Sequence, residues 1–244
     1  MRQVMAIMLR EMLILKRKFW RYAFSFSISP LLYLITFGWA ARARMSSGGA
    51  DYMAFMLPGL IAMSSMMNSF AMSSEINISR FYWKTFDEIR SAPVADWAYA
   101  VGEVLSGMLR GGIAAGIVIV IGLVFQVPIH LSPKLAGAVA LTTFIFASLA
   151  ICTAMVARSH ADQGMLSSFV ITPMAFLCGT FFPVDLYPEW VQTVVKVLPL
   201  TPAAELIRAA ALGDPTPLTP LLYLCAAAVV CFALAVFVVR QSKQ

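Results

Sequence analysis

Charged side chains that fall inside apolar runs are where this sequence shows chemistry. Glu103 and Arg110 sit seven residues apart in one strongly apolar stretch, a spacing that puts both on one face of a helix. Ions set that deep in an apolar phase are costly and usually face a bundle interior or a wet pathway. The alternatives are an interfacial Glu103 and an Arg110 that snorkels to a helix end. Glu205 and Arg208, at i and i+3, would pair on another helix. Catalytic groupings are missing: the two histidines, His130 and His160, fall in expected links at opposite helix ends, and neither HExxH nor GxSxG occurs. An intramembrane hydrolase would thus lack nucleophile, base and metal ligands. There is no GxxxxGKS/T loop to cradle nucleotide phosphates. Cys152, Cys178, Cys225 and Cys231 lie in apolar runs without a CxxC pair and read as small packing residues.

The elements that must position these groups follow from composition. Of 244 residues, 60% are hydrophobic and only 12% charged, with a mean hydropathy of +0.81. A soluble domain of this size could not bury so much apolar surface, which makes bilayer the expected solvent. The net charge of +6 is gathered at the N-terminus and in certain links, as in membrane proteins, and forms no nucleic-acid face. Residues 1–22 read as an amphipathic helix: Met5, Met8, Met12, Leu15 and Phe19 make the apolar stripe and Arg10, Lys16, Arg17, Lys18 and Arg21 the basic heads. Such a helix lies at a membrane surface, or else extends the first span. It does not resemble the short apolar core of a cleavable signal.

Six spans are expected, at about 23–41, 54–74, 101–125, 135–157, 164–182 and 218–239. Twelve Lys and Arg fall in the N-terminus, the links after spans two and four, and the tail, against five on the other side, which predicts both termini in the cytoplasm. The fold class is therefore an all-α integral membrane protein, with 23–244 as a single transmembrane domain after the interfacial helix.

Two links carry further pattern. Within 75–100, a helix ending at Pro93 would put Ile78, Phe81, Tyr82, Phe86 and Ile89 on one face, with Lys84, Asp87, Glu88 and Arg90 largely on the other. Aromatic anchors with a charged rim suit docking into another protein's groove or resting on the membrane surface. Within 183–217, Pro183, Pro188, Pro199 and Pro202 forbid one continuous span. Short helices at 189–198 and 202–212 are expected, the second with Thr201 as N-cap and Gly213 as its stop. Two half-length helices suggest a re-entrant hairpin at about 183–213, which must be buried in protein or line a cavity; an interfacial hairpin is the alternative.

The chain resembles the ABC-2 type permeases, the membrane subunits of a class of ATP-binding-cassette exporters. The resemblance rests on Phe176-Leu177-Cys178-Gly179-Thr180-Phe181-Phe182-Pro183, Pro188-Glu189-Trp190, Leu198-Pro199-Leu200-Thr201-Pro202, Arg208 and Gly213. Lys84-Thr85, Glu88-Ile89 and Ala92-Pro93-Val94 look like the family's coupling region, and Phe55-Met56-Leu57-Pro58-Gly59-Leu60 like the opening of its second span. Among such permeases, the small six-span nodulation-factor and multidrug exporters look most similar, with O-antigen-type polysaccharide permeases equally open.

The resemblance implies a homodimer above two copies of a cytoplasmic P-loop ATPase, which would hold ATP and Mg, while this chain binds no cofactor. Residues 80–92 would be the coupling helix, carrying Phe81, Tyr82, Lys84, Phe86, Asp87, Glu88, Ile89 and Arg90. The outer gate would comprise Phe181, Phe182, Pro183, Pro188, Trp190, Pro199, Pro202, Glu205 and Arg208. Phe24, Phe26, Tyr33, Phe37 and Phe70, with Glu103 and Arg110, are candidate pathway residues; ordinary packing or lipid contact is the alternative for each aromatic. Few intramembrane charges favour an amphipathic or lipid-linked cargo over a small ion. A secondary transporter would show inverted repeats and a midplane ion site, and neither is found; a non-transporting structural subunit is the remaining alternative.

Overall fold

The computed structural model describes residues 2–44, 49–83 and 95–241. Its regular elements are helices, with no strand among the described residues. We number them α1 (Arg2–Arg44), α2 (Gly49–Phe70), α3 (Met72–Phe81), α4 (Asp96–Val124), α5 (Pro133–Val156), α6 (His160–Leu166), α7 (Thr172–Leu177), α8 (Glu189–Val197), α9 (Leu200–Leu212) and α10 (Leu218–Gln241).

Among the described residues, four stretches are long and apolar enough to cross a membrane: Tyr52–Phe81, Asp96–Val124, Pro133–Val156 and Leu218–Gln241. They carry the expected second, third, fourth and sixth spans. The other two expectations, 23–41 and 164–182, fall on α1 and on an interrupted helix and are not among the four. The interruption is a π turn at Ser167–Ile171, between α6 and α7.

Two boundaries differ from expectation. No break occurs near residue 22: α1 runs uninterrupted for 43 residues, about 65 Å at ~1.5 Å per residue. Nothing around residues 20–24 caps or breaks a helix, so the amphipathic and apolar stretches continue into each other. The second span does not stop at residue 74 either. After a one-residue turn at Ala71, α3 continues to Phe81, so Arg80 and Phe81 close this helix rather than open a new one. The rest of the expected coupling helix, with Lys84, Phe86, Asp87, Glu88, Ile89 and Arg90, lies outside the described residues.

Local chemistry explains other ends. Ser132 caps α5 by accepting from the Leu135 N–H at 3.3 Å, with Pro133 at the first helical position. Gly213 closes α9 in the left-handed conformation at φ +83°, with the Asp214 N–H reaching Ala209 O at 2.8 Å. Thr201 is not the N-cap of α9. The helix already begins at Leu200, and the Thr201 hydroxyl donates back to Val195 O at 2.6 Å, fastening α9 to α8.

The continuous α2–α3 rod is the centre of the bundle, packed by α1, α4, α5 and α9, while α10 lies against α5 at the edge. Met56, Leu57, Leu60, Ile61 and Met66 of α2 are fully buried with Ile145 and Phe146 of α5 and Leu200 of α9. Small residues allow this closeness. A Cβ on Gly111 of α4 would strike Ser69 Oγ and come within 2.6 Å of Thr143 Cγ2 and 2.8 Å of the Ser65 carbonyl oxygen. One residue on, a Cβ on Gly112 meets nothing within 4 Å. Gly111→Ala is therefore expected to cost about 1–3 kcal/mol through overpacking. Gly112→Ala should be neutral or stabilise by up to ~1 kcal/mol through helix propensity. Thermal unfolding of the two variants in detergent, followed by tryptophan fluorescence, tests the contrast.

Candidate functional site

At one end of the bundle the chain leaves the helical state between α7 and α8. Gly179 takes a left-handed φ of +76°, which turns the chain so that Phe181 points inward. Two carbonyls freed by this turn receive side-chain donors. The Tyr52 hydroxyl donates to Phe181 O at 3.1 Å, and Arg208 Nη2 donates to Gly179 O at 2.7 Å. Arg208 Nε also reaches Phe55 O at 3.4 Å, and its guanidinium lies 3.9 Å from the Phe55 ring centroid. The expected close pair with Glu205 does not form: Arg208 directs its donors at carbonyls, and Glu205 feels it only as a nearby charge.

The turn is seated on α2 backbone to backbone. A Cβ on Gly59 would strike Thr180 O and lie 2.8 Å from Thr180 Cα. Phe181, 2% exposed, is the hub of an aromatic cluster. Tyr33 and Phe37 of α1 each sit 5.1 Å from its ring, and Phe176 stacks at 5.5 Å. Phe182, 46% exposed, touches the cluster through Phe37. The structure thus brings Phe181, Phe182 and Arg208 together with Tyr33 and Phe37, which were expected in a different group.

The remaining outer residues divide between the two short helices. Pro202 is buried with most of α9, whereas Pro183, Pro188, Glu205 and Trp190 are exposed and Pro199 is half-buried. α8 turns Val195 inward and leaves Trp190, Val194 and Val197 exposed.

The charged residues of α4 form a second group. Glu103 and Arg110 are both buried and share the packed face. Arg110 Nη1 lies 2.5 Å from Glu75 Oε1 of α3, and its guanidinium sits 5.8 Å from the Tyr22 ring of α1. Glu75 is half-exposed, so one ion of the pair is buried and the other reaches the protein surface. The expected span end at residue 74 hid Glu75 from sequence reasoning, since it put Glu75 in a link, whereas Glu75 lies in the first turn of α3. Of the other candidate pathway aromatics, Phe24 is exposed and Phe26 packs on Tyr22 at 5.7 Å, while Phe70 is buried in the core and offers no open face.

At the opposite end from the turn, α3 finishes at Phe81 and is followed by Tyr82 and Trp83, all three exposed, beside Arg80, which donates to Ala154 O and lies 5.1 Å from the Phe81 ring. Among the described residues no three His, Cys, Asp or Glu side chains gather to hold a metal ion.

A helical bundle built around a central apolar rod, with several helices long and apolar enough to cross a membrane, is the architecture of a polytopic membrane protein. Residues 2–212 match the family described as ABC-2 type transporter, and the chain belongs to that family. It is similar to the "Inner membrane transport permease YadH" of Escherichia coli (strain K12), 29% identical over 176 residues that cover 71% of this chain and 68% of the relative. "Nodulation protein J" of Rhizobium meliloti (strain 1021) is 31% identical over 228 residues, covering 87% of this chain and 83% of the relative. The protein of that name from Rhizobium leguminosarum bv. viciae is 30% identical over 200 residues, covering 76% and 73%. The chain is a permease subunit and its work is membrane transport.

The fully buried Cys178 thiol, next to Gly179, reports on the turn. Losing the charged donor to Gly179 O costs about 1.5–3 kcal/mol. If the turn opens by that much more readily, Arg208→Ala raises the maleimide labelling rate of Cys178 by about 10–100-fold. Arg208→Lys, which keeps the charge but not the fork, should fall in between.

Proposed function

We propose that this chain is the membrane-spanning subunit of an ATP-driven exporter. Its cargo is an amphipathic or lipid-linked molecule, such as a lipo-oligosaccharide, polysaccharide or drug-like lipid, moved out of the cytoplasm or inner leaflet. The observation that carries the reading is the exposed run Phe81, Tyr82 and Trp83 at the foot of the central rod, in a permease with no phosphate-binding loop of its own. Aromatic side chains left exposed at a helix end, leading into the charged stretch 84–90, make a docking point for another protein.

In this reading two copies of the chain pair in the bacterial inner membrane, both termini cytoplasmic, above two P-loop ATPases that hold ATP and Mg. Segment 80–92 sits in a cleft of the ATPase. Nucleotide binding draws the ATPases together and shifts the packing of the permeases between two arrangements. The turn at 178–182 and the α8–α9 hairpin form the outer gate, with α9 buried in protein as a re-entrant helix requires. In this reading buried Arg110, paired with the half-exposed Glu75, supplies a polar edge to the path along the dimer interface.

Tagged chain drawn from native membranes in mild detergent is expected to bring down a stoichiometric P-loop ATPase. Changing Phe81, Tyr82 and Phe86 together to Ala should remove it, since hot-spot truncations of this kind cost ~2 kcal/mol or more each. A chain that purifies folded and transports without nucleotide or ATPase would overturn the proposal.

A further inference from the structure

Near the foot of α3, polar side chains from three elements meet in the interior. Gln163 of α6 and Asn77 of α3 are both fully buried. Asn77 Nδ2 donates to Gln163 Oε1 at 3.1 Å, and Gln163 Nε2 donates to Ser73 Oγ of α3 at 2.8 Å. The same Nε2 lies 3.5 Å from Thr153 Oγ1 of α5. Around this clasp, Arg80 bonds Ala154 O and the Tyr82 ring stands edge-on to His160 at 6.4 Å.

Two apolar side chains of similar shape would hold these helices about as well as a buried amide pair. What the amides add is geometry. An apolar contact lets two helices slide, whereas a donor and acceptor at 3.1 Å accept only a narrow range of placements. Above the clasp, the chain passes through the π turn Ser167–Ile171 and Pro173 before reaching the 178–182 turn. π turns and prolines are the points where helices bend. Met165, Phe169, Val170, Phe176 and Leu177 are exposed along this stretch. The segment is thus gripped at Gln163 and again at the turn, and between them only Ile171, Met174 and Ala175 are buried in the core.

We infer that Gln163 is a positioning residue for coupling: its amide locks α6 to α3, so that a push on the foot of α3 is delivered through residues 160–177 to the outer turn. The inference rests on the exporter reading above, because the push comes from an ATPase docked on 80–92. Gln163 touches no cargo, and its role is to make α3 and α6 move as one body.

The test uses the permease–ATPase complex in lipid nanodiscs. The four native cysteines are replaced and Phe169→Cys serves as the reporter. Its maleimide labelling rate is measured without nucleotide and with ATP plus vanadate. In the parent complex ATP is expected to change the rate several-fold. In Ser73→Ala/Asn77→Leu/Gln163→Leu, which removes both amides and the Ser73 hydroxyl that Gln163 engages, the change should vanish while the ATPase still co-purifies in full. Gln163→Met, which keeps the length without the amide, is the second variant and should lose the response likewise. An undiminished ATP response in an assembled variant overturns the inference and leaves the exporter reading standing. A parent complex that holds the ATPase but whose reporter ignores ATP overturns the inference alone, and one that holds no ATPase overturns both.

Discussion

A carbonyl that leaves a helix in an apolar surrounding must find a donor, and the break after α7 is where this protein meets that demand. Gly179 O and Phe181 O turn away from helical partners and are taken by Arg208 and Tyr52. Those donors come from α9 and α2, elements far apart in sequence, so satisfying two carbonyls ties three parts of the chain together. The seating of Thr180 on Gly59 then removes any slack, because no side chain stands between the turn and the central rod. Tyr33 and Phe37 can close around Phe181 only because its backbone is already fixed.

The same economy of space runs through the interior. Gly107 and Gly111 let α4 approach α2, and the hydroxyls of Ser65, Thr142, Thr143 and Ser148 bond back to carbonyls of their own helices, so their polarity is met without a neighbour. Side chains that cannot fold back in this way bond across helices instead. Arg110 reaches Glu75, and Gln163 reaches Asn77 and Ser73. These two contacts both join α3 to another element, while Arg208, Tyr52 and Tyr223 serve carbonyls at the other end of the bundle.

Much of the helical framework was legible in the sequence because apolar runs of spanning length have few other readings. The apolar blocks that became α4, α5 and α10 stand out, and Pro188 and Gly213 mark where α8 begins and α9 ends. Legibility failed where a boundary depends on what is absent. Residues 20–24 carry no breaker, so the amphipathic stripe runs on into α1; Glu75-Ile76-Asn77 looks like a link but is helical because its polar side chains find partners on α4 and α6. Thr201 has the right type and place for a cap, yet the end of α8 claims its hydroxyl first. Asn77 and Gln163 are 86 residues apart, and no local pattern announces a bond between them. The grouping of Tyr33 and Phe37 with Phe181 was hidden for the same reason.

The unbroken α1 has a consequence for how this protein can vary. Tyr22, Phe26, Tyr33 and Phe37 follow one another at intervals of four, seven and four residues, which keeps them on one face. At one end of that face Tyr22 lies over Arg110, and at the other Tyr33 and Phe37 enclose Phe181. The helix therefore acts as a ruler between the charged group and the turn. Each residue inserted between positions 22 and 33 would rotate one group by about 100° against the other. The length of that interval is constrained as tightly as the identity of the rings it separates, and related chains should vary there by substitution and not by insertion.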